Sequence, residues 1–237
     1  WMLVTVIPVA FAMLTAAALQ VNSHRLYRMA VFFLSLAIGG AKYILGIRYE
    51  LRGLEHLPAA GQPAILLVKH QSTYETFLMP VIMPSDLAYV FKKELLYVPF
   101  FGWGIGRLDM IHIDRKLRSQ AFQKVVSQGR DLLGRGIWVI MFPEGTRIER
   151  GQAGTYKAGG TRLAIETGVP VIPIAVNSAR CWPRKALIKY PGTVTVSIGP
   201  MIESAGRQPE EMMQQVEHWI ESEMHRLDPE AYPDTTA

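Results

Sequence analysis

Apolar and polar positions follow two regimes along this chain. From Trp1 to Val21 there is no charged residue, and a second uncharged run extends from Met29 to Ala41 before Lys42. The first run matches the roughly 20 apolar residues that cross a bilayer core, and Pro8 is compatible with a lipid-embedded helix. The second is too short to span unaided. It suits an interfacial segment or the second arm of a hairpin, with Lys42 reaching for the headgroups. Asn22, Ser23, His24 and Arg25 break the two runs, with Arg28 just beyond. A cleaved signal peptide is one competing reading of the first run, since Ala16-Ala17-Ala18 has the look of a small-residue cleavage site. A core helix of a soluble domain is another. With no basic leading segment and a second oily run immediately following, a membrane anchor over 1–46 is the expectation. Arg25 and Arg28 place the cytoplasmic side after the first run if that run spans alone.

From Ile47 onward short β-type runs alternate with helical stretches. Ala64–Val68, Leu87–Phe91, Met110–Ile113, Ile137–Phe142, Val171–Val176 and Val194–Ile198 read as strands. Ser119–Leu133, Gly159–Glu166 and Glu210–Arg226 read as helices; in the first, Phe122, Val125, Val126, Leu132 and Leu133 recur at helical spacing. The strands are continuous apolar runs, as in a sheet covered on both faces. The predicted fold is α/β, a mixed, largely parallel sheet flanked by helices, over 47–227. Residues 228–237, with two prolines and no periodicity, read as a flexible tail.

Composition narrows the function. Hydrophobic residues make up 49% and charged residues 19%, with a formal net charge of +5. A basic chain can meet nucleic acid, anionic lipid or a phosphorylated substrate; the oily N-terminus favours lipid and speaks against nucleic acid. The single cysteine, Cys181, excludes an intramolecular disulfide.

Two stretches carry candidate chemistry. Val68-Lys69-His70-Gln71-Ser72-Thr73-Tyr74-Glu75 follows a predicted strand. A neutral imidazole is a natural general base near pH 7, and it works best when a carboxylate holds its far N–H. On a regular helix residues five apart diverge by about 140°. His70 and Glu75 therefore meet only if His70 sits in the turn before a helix and Glu75 in its first turn. Ser72-x-x-Glu75 is a capping-box pattern that would place them so, with Ser72 as N-cap and Glu75 at N3. The plainer alternative is a strand-end histidine beside a helix-capping glutamate. Phe142-Pro143-Glu144-Gly145-Thr146-Arg147 follows another strand. Arginine's planar fork suits phosphate, and Gly145 lets backbone N–H groups approach an anion. Phe91-Lys92-Lys93-Glu94-Leu95, the aromatic, glycine-rich loop Pro99–Gly104, and Ile111-His112-Ile113-Asp114-Arg115 add cations near strand ends, where an α/β sheet opens its crevice.

Taken in order, these blocks and Val171–Val176 resemble the glycerolipid acyltransferase family, and within it the bacterial 1-acylglycerol-3-phosphate branch. The resemblance spans roughly residues 64–177, and Phe-Pro-Glu-Gly-Thr-Arg is its most specific part. It implies transfer of an acyl group from an acyl-CoA or acyl carrier protein thioester to the sn-2 hydroxyl of lysophosphatidate, giving phosphatidic acid. It implies His70 as base and Glu75 as its orienting partner. It places Lys92, Arg115, Glu144, Gly145, Thr146 and Arg147 at the acceptor's phosphate. It associates Val171, Ile172, Pro173 and Ile174 with the acyl donor. No cofactor, metal or covalent enzyme intermediate is implied beyond the thioester co-substrate. The expected setting is the bacterial inner membrane, against anionic lipid, with the site facing the cytoplasm. Two departures stand out: the common pattern has Asn before the histidine and Asp as its partner, where this chain has Lys69 and Glu75. The alternative is acyl transfer to another lipid acceptor: a lysophospholipid, glycerol 3-phosphate or a lipid A precursor.

Overall fold

The computed structural model describes residues 2–59, 61–114 and 118–232. Two helices open it, α1 (Met2–Ala18) and α2 (Ser23–Leu45). The N-cap of α2 is Asn22, whose side chain accepts the Arg25 N–H. Its end is set by Gly46, which at φ 68° closes the last turn by donating its N–H to the Ala41 carbonyl. The expected lengths are thus reversed. The second helix absorbs Ser23–Arg28 and runs 23 residues, long and apolar enough to cross a membrane by length and composition. The first has 17 residues, about 25 Å at 1.5 Å per residue. One side of α2 also packs on the α/β domain. Tyr27, Ile38 and Ala41 belong to the main core, and the Tyr27 hydroxyl accepts the Leu87 N–H at 2.9 Å.

After α2 the chain runs β1 (Ile47–Arg52), β2 (Ile65–Val68), α3 (Tyr74–Ile82), β3 (Leu87–Lys92), α4 (Phe101–Ile105), β4 (Ile111–Ile113), α5 (Arg118–Gly134), β5 (Trp138–Met141), α6 (Gly159–Thr167), β6 (Val171–Val176), β7 (Gly192–Ile198) and α7 (Pro209–Leu227). The seven strands lie in the order β1-β7-β6-β2-β5-β3-β4. All neighbouring pairs are parallel except β6 with β7. The mixed, largely parallel sheet matches expectation. Two elements were not expected: edge strand β1, whose largely exposed, polar sequence lacks an apolar run, and α4 within the aromatic glycine-bearing loop.

Side chains of successive strand residues alternate between faces, and this splits the core in two. Leu66, Val68, Ile140 and Ile174 pack on one face with α2 and α3. Ile65, Leu67, Val139 and Ala175 pack on the other beneath α5, α6 and α7. The expected tail is corrected for residues 228–232. Asp228 is fully buried and takes a two-point contact from the Arg150 guanidinium, each at 2.7 Å. Tyr232 is buried as well. Residues 233–237 lie outside the described residues.

Candidate active site

The C-terminal ends of the parallel strands β2, β5 and β3 share one edge, and the candidate residues follow them directly. The alternation of β2 continues one step past its end. His70 falls on the face of Leu66 and Val68, and Lys69 on that of Ile65 and Leu67. The imidazole therefore turns toward α2 and α3, and the ammonium toward α7.

His70 lies in the turn before α3, and its Nδ1 is 2.9 Å from Glu75 Oε1. A carboxylate only accepts, so Nδ1 carries the proton and Nε2 is left as the basic atom. Glu75 is completely buried and its place is over-determined. Oε1 also accepts the Gln71 N–H at 2.8 Å and the Ser72 N–H at 2.6 Å. Oε2 accepts the Ser178 hydroxyl at 2.6 Å. The capping box is offset by one residue from expectation. Thr73 is the N-cap, Glu75 still reaches back to the Ser72 N–H, and Ser72 Oγ accepts from Tyr74 N at 2.9 Å rather than from Glu75 N.

The loop after β5 grips His70 from the other side. The Phe142 ring stacks on the imidazole, centroids 3.8 Å apart and planes 17° from parallel. A Glu144 oxygen accepts the His70 N–H at 2.8 Å, and the His70 carbonyl accepts the Ile148 N–H at 2.7 Å. Glu144 is thus a buried scaffold group behind His70 and does not itself line the chamber. Its second oxygen lies 2.8 Å from Lys69 Nζ. Lys69 uses its remaining donors on Glu221 of α7 at 2.6 Å and the Gln152 carbonyl at 3.2 Å. The Tyr156 hydroxyl donates to the same Glu221 oxygen at 2.6 Å.

Burial raises the Glu144 carboxyl above its ordinary range, against the pull of Lys69. For Lys69 burial acts to lower the pKa, but the two carboxylates outweigh it and the value ends above the ordinary one. Burial, reinforced by Glu144 and Glu221, lifts the Tyr156 phenol far out of the physiological range, so it remains a donor.

The other expected residues divide. Lys92, Gly145 and Arg147 line a chamber of about 500 Å³ that also holds the imidazole, within the usual 300–1,000 Å³ of ligand pockets. Arg147 is aimed by a 2.8 Å bond to Thr73 Oγ1, and Gly145 takes a left-handed φ of 67° at the turn. Thr146 is exposed and does not line the chamber. Arg115 lies outside the described residues. Val171, Ile172 and Ile174 are wholly buried in the central strand β6, and no residue of Val171–Ile174 reaches the chamber. Its walls come instead from the N-terminal helices and α4: Val6, Ala10 and Met13 of α1, Phe33 of α2, and Ile105 with Phe101 of α4. Ser178, Glu221 and the Tyr232 hydroxyl, which accepts from the Gln71 side chain at 2.9 Å, are, with these walls, parts of the site that sequence reasoning missed.

A carboxylate-held histidine that opens on a largely apolar chamber at the carboxyl edge of this sheet has the chemistry to take a proton from a hydroxyl. Similarity to known proteins agrees. The acyltransferase family pattern matches residues 48–177. The 1-acyl-sn-glycerol-3-phosphate acyltransferase of Pseudomonas aeruginosa is 45% identical over 196 residues, covering 81% of this chain and 75% of that protein. The mouse 1-acyl-sn-glycerol-3-phosphate acyltransferase alpha is 32% identical over 181 residues, 76% of this chain and 63% of its own. The crystal structure of the 1-acyl-sn-glycerophosphate acyltransferase of Thermotoga maritima has the same fold, with a TM-score of 0.77 over 95% of this chain and 90% of its own, at 23% identity. This chain belongs to the acyltransferase family.

Proposed function

We propose that the protein acylates the sn-2 hydroxyl of 1-acyl-sn-glycerol 3-phosphate from a thioester of coenzyme A or acyl carrier protein, at a membrane surface. The observation that carries the reading is the His70–Glu75 pair, its basic Nε2 facing a chamber whose walls are apolar and whose lining includes Lys92 and Arg147. His70 takes the proton of the acceptor hydroxyl as its oxygen attacks the thioester carbonyl. Glu75 holds the imidazole and stabilises the cation that forms. When the tetrahedral species collapses, the C–S bond breaks and the imidazolium returns its proton to the departing thiolate. Arg147 and Lys92 hold the acceptor's phosphate as charge-assisted donors. The acyl chain lies in the chamber, out of water.

Acyl transfer from a long-chain thioester to lysophosphatidate tests this directly. His70→Ala should lower kcat by about 10²–10⁴-fold, the usual contribution of a positioned general base. Full activity in that variant would sink the mechanism. A panel with lysophospholipid, glycerol 3-phosphate and a lipid A precursor as acceptors fixes the substrate class, and activity confined to one of those would overturn the lysophosphatidate reading.

A further inference from the structure

Away from the site, an exposed loop breaks the rule that large apolar side chains cluster inside. It runs from the buried Cys181 to β7, and its neck is closed where the Tyr190 N–H donates to the Cys181 carbonyl at 2.8 Å. At its tip Leu187 is 98% exposed and Ile188 66%, with Tyr190 half-exposed below them. The loop returns to the sheet beside the end of α2: Gly192 donates to the Gly46 carbonyl at 3.1 Å, and Pro191 lies against Gly46. Just before Gly46, Tyr43 is 82% and Ile44 67% exposed. Five outward-facing apolar or aromatic side chains from two separate segments are thus gathered at one corner of the fold.

The charges on the two segments, 43–49 and 181–191, have one sign. The chain carries no Asp or Glu before Glu50, and none from Ala179 to Ile202. Both segments that meet here are therefore free of acidic residues, while Lys42, Arg48, Arg184 and Lys185 stand among the apolar side chains. Among the described residues none of these four is held in an ion pair. An apolar tip with cations around it, and tyrosines at its margin, is the chemistry of a segment seated in a bilayer interface: apolar groups enter the acyl boundary, aromatic rings sit at headgroup depth and cations meet anionic lipid. The corner also continues from α2, the helix long and apolar enough to enter a membrane.

We propose that the 182–191 loop, lying beside the end of α2, inserts into an anionic bilayer surface as a membrane contact additional to the N-terminal helix pair. It rests on the reading that the enzyme works at a membrane surface. Two contacts at different points fix the tilt of the α/β domain, where one helix pair would leave it free to roll.

Environment-sensitive fluorophores attached at Leu187→Cys and, separately, at Phe32→Cys on the exposed face of α2 test this on the full chain. Cys181 is 1% exposed, so the unsubstituted protein serves as the labelling control. On vesicles of phosphatidylcholine with phosphatidylglycerol, emission at both positions should move to the blue. A blue shift at 32 with water-like emission at 187 would overturn the loop contact and leave the helix anchor standing. Water-like emission at both would overturn membrane docking altogether. A blue shift at 187 without vesicles, growing with protein concentration, would mean that a second copy covers the loop, and the proposal fails. Arg184→Gln and Lys185→Gln should each weaken partition onto the anionic vesicles about five-fold; unchanged partition would remove the cations from the contact.

Discussion

Lys69 stands where the common family pattern has asparagine, and its ammonium carries a structural duty that the imidazole next to it does not share. It is the cation between two carboxylates, Glu144 and Glu221, and Glu144 in turn holds the His70 backbone. Removing one partner from a buried ion pair typically costs about 3–5 kcal/mol. Lys69→Met should therefore lower stability by that order in denaturant unfolding. Adding Glu221→Gln should recover part of the loss, a coupling that a double-mutant cycle measures. Arg147 is exposed and lies at the mouth of the chamber, so Arg147→Ala should chiefly raise the KM for lysophosphatidate while kcat changes less. An unchanged KM would remove it from the phosphate site. His70 and Glu75 were legible because a local capping pattern ties residues close in sequence. Lys69 was half legible: extending the alternation of β2 by one residue puts it on the inner face with Ile65 and Leu67, in need of a counter-charge. Its partner Glu221 lies 152 positions away, and nothing local announces it.

Among the elements, strands with continuous apolar runs were readable nearly to their ends, since burial on both faces leaves no room for polar residues. The exception is β1, which pairs only with β7 at the sheet edge and keeps most of its side chains in solvent. Helices α1 and α2 were readable as oily runs, but not as walls of a chamber, because their packing against α3 and α4 is long-range. That packing carries a test. Ala10 of α1 is buried and lines the chamber, so Ala10→Phe should occupy acyl space and move the preference toward shorter thioesters. Competition between donors of different chain length measures the shift; an unchanged preference would mean that the acyl chain lies elsewhere. The β6 stretch reads alike at both levels: its Val-Ile-Pro-Ile sequence is that of a buried strand, and in the fold it braces β2, with none of Val171–Ile174 lining the chamber.

At the scale of the whole molecule, the far end of the described chain closes on its middle. Arg150 holds Asp228, the Asn177 side chain donates to the Leu227 carbonyl at 3.1 Å, and Tyr232 meets Gln71 beside His70. Pairing with Asp228 raises the Arg150 pKa further above its ordinary value, so this clasp keeps its cation throughout the working pH range. Arg150→Gln should destabilise by about 1.5–3 kcal/mol, the usual worth of hydrogen bonds to a charged group. It should also lower kcat, read as thermal midpoint and turnover on the same preparation. A stability loss with turnover intact would separate the clasp from the site.

The two sides of β2 have an implication for biogenesis. His70 is made early, just after helices α1 and α2, whereas Glu221 and Tyr232 leave the ribosome more than a hundred residues later. Until they arrive, Lys69 has only one of its two carboxylates and Gln71 lacks its tyrosine. In a partly synthesised chain the His70–Glu75 pair can therefore form before Lys69 is fully paired, and the scaffold beneath it closes only as α7 docks.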